Sequence, residues 1–167
     1  MFLCETGLSI PEVIGDMGAI AVAHSANAKH SVFVADDQEE VLRTISAALQ
    51  DQFQIVGMAG NGRDVLRLVP LLHPEVLVLD IVMPLLNGIE AALHLKASGS
   101  SARIVFLTVY EDRDFLEAAV SAGAQAYVLK PHLATDLVPA IESVLKGGFF
   151  VSPCIQRRDT PVLPTLS

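Results

Sequence analysis

From Ser31 onward the chain repeats one rhythm five times: a short run rich in Val and Ile, a turn, then a helical pattern with apolar residues three or four apart. The runs are SVFVA (31–35), QIVGMA (54–59), VLVLD (76–80), RIVFLT (103–108) and AYVLK (126–130), and each is followed by a helical pattern, at 39–50, 63–72, 88–97, 113–122 and 135–146. A strand with one wet face alternates apolar and polar residues. These runs scarcely alternate, so both faces must be covered, which is the signature of a parallel sheet sandwiched between helices. The rhythm therefore predicts an α/β fold with a doubly wound five-stranded parallel sheet.

Punctuation fits the same scheme. Gly123 and the pair Gly147-Gly148 stand where the fourth and fifth helices should stop in the left-handed region. Pro70 falls inside the second helical pattern and predicts a kink or a split there. Residues 1–30 precede the first strand with no partner rhythm and are expected to be a disordered extension. Residues 31–150 form the domain. The tail 151–167, with three of the nine prolines, is expected to be irregular.

Composition narrows the function. The chain has 167 residues, 51% of them hydrophobic, enough for one domain with a real core. A formal charge of -8 opposes a surface built for phosphodiester backbones, so no direct nucleic-acid binding is expected. The apolar N-terminus lacks a basic stretch before Lys29 and is interrupted by Glu5, Glu12 and Asp16, unlike a signal peptide. No run is long enough to span a membrane. A cytoplasmic protein is the expectation, with Cys4 and Cys154 as two free thiols.

One acid stands out. Asp80 ends the apolar run VLVLD just before the chain must turn at Met83-Pro84. An unpaired carboxylate inside a core is costly, so Asp80 must either be wet or meet a cation. In an open parallel sheet, ligands bind beyond the carboxyl ends of the strands, and there the sequence places Asp36 and Asp37, Asp80, Thr108 and Lys130. Clustered carboxylates oppose one another's ionisation, and a hard divalent cation removes that penalty. Magnesium suits the set because it keeps waters and shares carboxylates with phosphate oxygens. Asp80 would then be a nucleophile toward phosphorus, with Thr108 and Lys130 on the phosphoryl oxygens.

The segments VADD (34–37), LDIVMPLLNG (79–88), FLTVYED (106–112) and AGAQAYVLKP (122–131), in this order and at these spacings, resemble the receiver domain of two-component response regulators. The last segment, with AIESVLKGGFFVSP (140–153), is most similar to the NarL/FixJ-type receivers. The resemblance implies a flavodoxin-like sheet of order 2-1-3-4-5. It implies that Asp80 is the phosphoacceptor, that Asp36, Asp37, Asp80 and the Val82 backbone carbonyl hold Mg2+, and that Thr108 and Tyr127 are the switch pair. Lys130 becomes the phosphate-sensing lysine, and the Lys130-Pro131 bond is expected to be cis. The implied partner is a sensor histidine kinase or histidine phosphotransfer protein, with a homodimer as a further state. The tail after Val151 is too short for a helix-turn-helix output domain.

Other readings exist for the same residues. Asp36-Asp37 before a helix also suits an N-cap, and Asn61-Gly62 and Asn87-Gly88 read as turn chemistry. His94 and His132 are expected at solvated surfaces. In place of a phosphorylation switch, the domain could be a phospho-independent pseudo-receiver used for dimerisation. An aspartyl-phosphate phosphohydrolase would want an acid two residues after Asp80, where Val82 stands. The chain is thus expected not to be an enzyme in the turnover sense, only a phosphoacceptor that hydrolyses its own adduct slowly.

Overall fold

The computed structural model describes residues 28–158. The elements run β1 (His30–Ala35), α1 (Glu39–Leu49), β2 (Phe53–Ala59), α2 (Gly62–Leu72), β3 (Val76–Asp80), α3 (Gly88–Ala97), β4 (Arg103–Thr108), α4 (Arg113–Ser121) and β5 (Ala124–Leu129). A 3₁₀ turn (Lys130–His132) leads into α5 (Leu133–Leu145), followed by β6 (Phe150–Val151) and α6 (Pro153–Arg158). All strands pair in parallel, in the order β2-β1-β3-β4-β5-β6.

The uninterrupted apolar runs are explained by two cores, one on each face of the sheet. Alternate residues of the central strands, Phe33, Leu77, Leu79, Phe106, Tyr127 and Leu129, pack with Val65 and Val69 of α2, Ala91 and Leu95 of α3 and Ala119 of α4. The intervening residues Val32, Val34, Val76, Val78, Val105, Leu107 and Val128 pack with Ile45 and Leu49 of α1 and Leu137, Ile141 and Val144 of α5. Each fully buried Val or Leu of this kind contributes roughly 1.5–3 kcal/mol of hydrophobic transfer.

Four expectations are corrected. The sheet has six strands rather than five, because Phe150 and Val151 pair with Ala126 and Tyr127. A two-residue strand in the short stretch between Gly147-Gly148 and Ser152-Pro153 is too brief to show a period. The tail after Val151 is not irregular throughout, since Pro153 opens α6, where its fixed φ and missing N–H cost nothing. Residues 159–167 and the expected disordered extension up to residue 27 lie outside the described residues. Helix α2 is not split at Pro70, which sits in its last turn, and it is capped by His73 with φ 45°. Finally, Lys130-Pro131 is trans, and no peptide bond among the described residues is cis. The chain passes from β5 directly into the 3₁₀ turn, and the long Lys130 side chain spans the remaining distance.

Helix α5 stops as expected. Gly147 has φ 80°, its N–H donates to Val144 O, and Gly148 N–H donates to Ser143 O, the paired bonds of a Schellman motif.

Candidate functional site

β1 and β3 are neighbours in the sheet although β2 lies between them in sequence, so the chain leaves their carboxyl ends toward opposite sides of the sheet. Asp36 and Asp37 follow β1 directly, and Asp80 is the last residue of β3. Carboxylate oxygens of all three lie within 4.8 Å of one another. Asp36 is 1% exposed and Asp80 5%, whereas Asp37 faces solvent.

The cation that the buried acids require is Lys130. Its Nζ is 2.7 Å from Asp36 Oδ2 and 3.0 Å from Asp80 Oδ2. Backbone amides complete the cradle: Gln38 N–H donates to Asp36 Oδ1 at 2.9 Å, and Val82 N–H to Asp80 Oδ1 at 3.3 Å. The N-cap reading of Asp36-Asp37 is excluded, because the residue at the α1 N-cap is Gln38 and no side chain caps it.

Burial raises the Asp80 carboxyl pKa above the ordinary aspartate value; the Lys130 hydrogen bond and charge oppose this without cancelling it, and Asp36 adds repulsion. Burial works against the Lys130 ammonium too, yet Asp36 and Asp80 outweigh it and hold that pKa above the usual lysine value. For Asp80 the sign is clear. A raised folded-state pKa means a contribution to stability that is present below the unfolded pKa and lost as pH rises through the folded one. In EDTA at pH 7, Asp80→Asn should therefore melt higher than the wild type, by about 3 °C. The gap should close toward pH 4 as the wild-type carboxyl takes up its proton, and differential scanning calorimetry across that range checks both statements.

Thr108 and Tyr127, the pair expected to form a switch, lie one and two strands over. Thr108 ends β4 fully buried, and its Oγ1 accepts the Tyr110 N–H at 3.2 Å. Tyr127 on β5 is fully buried as well, and its hydroxyl donates to Tyr110 O at 2.8 Å. Burial pushes the Tyr127 phenol up to about 12, against a hydrogen bond with Thr108 that acts in the opposite direction. Tyr110 in turn stacks on Phe115, with ring centroids 4.1 Å apart. The loop after Thr108 is thereby tied to the ring of Tyr127.

Two Asn-Gly pairs, 61–62 and 87–88, read only as turn formers in the sequence. Both Asn-Gly pairs are helix starts: Asn61 caps α2, and Asn87 caps α3 in a capping box with Glu90. Gly88 donates to Ile81 O at 2.8 Å, and a Cβ on it would stand 2.0 Å from Asp80 O. The β3–α3 loop thus folds back onto the backbone of Asp80 itself. Two histidines read as solvated differ: His94 is exposed, but His132 is half-buried, with Nε2 3.2 Å from Cys154 Sγ.

Residues 32–142 match the response regulator receiver domain family. The chain is 39% identical over 112 residues to the transcriptional regulatory protein PdtaR of Mycobacterium tuberculosis, covering 66% of this chain and 54% of that protein. Among solved structures, a LuxR-family two-component response regulator from Aurantimonas superposes with a TM-score of 0.74 at 29% identity, covering 78% of this chain and 94% of that one. The isolated REC domain of RcsB from Salmonella enterica, solved with the phosphomimetic BeF3-, gives 0.72 at 28% identity, covering 77% and 97%. The chain belongs to the response regulator receiver family. It spans about half the length of the curated relative. No helix among the described residues is long and apolar enough to cross a membrane.

Proposed function

We propose that this domain is a phosphorylation-controlled switch in a two-component pathway, with Asp80 as the acceptor of a phosphoryl group from a histidine donor. The observation that carries the reading is the convergence of Asp36, Asp37 and Asp80 on one point with Lys130 between the two buried acids. Three carboxylates against one ammonium leave a formal charge of -2, which one divalent cation neutralises.

The donor set fits Mg2+: hard oxygen ligands from Asp36, Asp37 and Asp80, with the Val82 carbonyl as a fourth. When bound, the ion supplies charge neutralisation for the acids and for phosphoryl oxygens. Asp80 forms the new O–P bond as the N–P bond of a phosphohistidine breaks, and the departing imidazole keeps the electron pair. Lys130 leaves its place on the carboxylates to meet the phosphoryl oxygens, and Thr108 offers its hydroxyl to them. Thr108 movement then reaches Tyr110 and Tyr127 through the bonds already in place.

A partner has a route to the acceptor. Val41 and Thr44 of α1 and Pro131, Leu133 and Ala134 beyond β5 line a groove that opens beside Lys130, suited to a helix presenting a histidine. The -8 charge supports protein rather than nucleic-acid contact for this chain. Cytoplasmic placement follows from the same pathway reading.

Steady turnover is not part of the function. Val82, 51% exposed two residues past the acceptor, has no acid or amide to orient an attacking water. Val82→Asn should shorten the phosphoryl lifetime several-fold, read by intact mass after donor removal; an unchanged lifetime would remove Val82 from this role. The function itself is tested by uptake of a phosphoryl group from a small phosphodonor with Mg2+, in the wild type and in Asp80→Asn.

A further inference from the structure

The strap made by β6 and α6 contributes no group to the carboxylate site, yet it is bonded to the stretch of chain that carries Tyr127 and Lys130. Val151 pairs with Tyr127 in the ladder, and Ser152 N–H donates to Tyr127 O at 2.9 Å. The Leu129 N–H donates to Ser152 Oγ at 3.0 Å, and that hydroxyl donates to Asp136 Oδ2 at 2.7 Å. The other Asp136 oxygen accepts from Thr135 Oγ1 at 2.9 Å. Ile155 is buried in the same apolar cluster as Tyr127 and Leu129. Ser152 itself is 0% exposed.

The need for a hydroxyl at this place follows from the end of the ladder. β6 is two residues long, so strand pairing runs out at Val151, while β5 continues to Leu129. Leu129 is fully buried, and a buried amide without an acceptor is costly. The Ser152 side chain replaces the missing strand carbonyl. Leu129 immediately precedes Lys130, so holding its amide anchors the backbone from which the Lys130 side chain starts.

We infer that Ser152 is a positioning residue for Lys130, holding the Leu129 amide so that the ammonium reaches Asp36 and Asp80, and thereby linking the docking of the strap to occupancy of the carboxylate site. This extends the reading of Asp80 as phosphoacceptor and rests on it for its signalling consequence. Coupling of this kind is reciprocal. Whatever draws Lys130 off the two carboxylates loosens the strap, and whatever pulls the strap away frees Lys130.

The test uses the full chain as wild type, Ser152→Ala, Lys130→Met and the double variant, with Mg2+ as the probe. Without metal, amide hydrogen exchange at Leu129 should rise about ten-fold in Ser152→Ala while exchange in β1 stays as it was. Unchanged exchange at Leu129 overturns the inference by itself. The second arm reads the Mg2+ concentration that half-saturates the rise in melting temperature. Lys130 competes with a cation for the same oxygens, so loosening it tightens Mg2+ binding, about 3-fold in Ser152→Ala and about 10-fold in Lys130→Met. In the Lys130→Met background, Ser152→Ala should add nothing.

A serine with only a structural role would weaken Mg2+ binding equally in both backgrounds, and that result contradicts the proposal. If Ser152→Ala does not fold, Asp136→Ala takes its place, since it removes the hydroxyl's acceptor, with Asp136→Asn expected to behave as the wild type. Absence of any Mg2+ effect refutes the metal reading and leaves exchange at Leu129 to decide the role of Ser152. A wild type that takes no phosphoryl group, with the variant cycle as expected, refutes the acceptor function and leaves the positioning role standing.

Discussion

Lys130→Met lowers the stability of the metal-free protein at neutral pH by about 3 kcal/mol, the scale expected when one partner is removed from a buried ion pair. The substitution keeps most of the length and volume of the side chain, so the loss reports charge more than packing. Asp36 and Asp80 are left facing each other with side-chain exposures of 0% and 6% and no ammonium between them. Their remaining donors, the amides of Gln38 and Val82, cannot neutralise two charges. The loss should shrink as pH falls and the acids take up protons, and it should shrink again with millimolar Mg2+ at neutral pH. Chemical denaturation in EDTA and in Mg2+, at pH 5 and pH 7, separates these effects. Equal losses in every condition would mean that Lys130 acts through packing and that the acids do not depend on its charge.

Gly88→Ala destabilises the fold by about 3 kcal/mol, at the upper end of overpacking costs. The added methyl would stand 2.0 Å from Asp80 O and 3.1 Å from Ile81 Cα, both backbone atoms that cannot rotate aside. Relief requires the β3–α3 loop to move off β3, which breaks the Gly88 N–H bond to Ile81 O and disturbs Val82, the residue that donates to Asp80. Loss of stability and weaker Mg2+ binding should therefore appear together. Gly60→Ala is the matched control, because beyond its chain neighbours a Cβ there would approach nothing nearer than Asp36 O at 3.9 Å, and its effect should stay within about 0.5 kcal/mol. A melting temperature for Gly88→Ala within a degree of the wild type would show that the loop adapts at no cost.

These two positions differ in how far the sequence betrays them. Lys130 stands at the end of an apolar strand run, where a charged residue is conspicuous, and the topology of a parallel sheet dictates that such strand ends meet. The same logic gathers Asp36, Asp37, Asp80 and Thr108. The two-faced burial behind the uninterrupted runs is likewise readable from the order of residues alone, because a strand with a wet face would alternate.

Gly88 carries no comparable mark. An Asn-Gly pair has the same appearance whether it closes a turn or caps a helix pressed against a strand end, and only the distance to Asp80 O separates the two. Ser152 is hidden for a related reason: a two-residue strand has no period, and a serine before proline resembles any loop. Its role comes from the mismatch in length between β5 and β6, which is a property of the sheet. Pro70 shows the opposite failure, a strong local signal that does not split the helix, which ends two residues later at Leu72.

The measurement that tests the central claim most directly is intact mass after incubation with a small phosphodonor, with Mg2+ or EDTA, on the wild type and on Asp80→Asn. A single phosphoryl adduct on the wild type that requires Mg2+ and is absent from Asp80→Asn is the predicted result. No adduct on a folded, Mg2+-saturated wild type, or an adduct of equal yield on Asp80→Asn, would contradict the assignment of Asp80 as the phosphoacceptor.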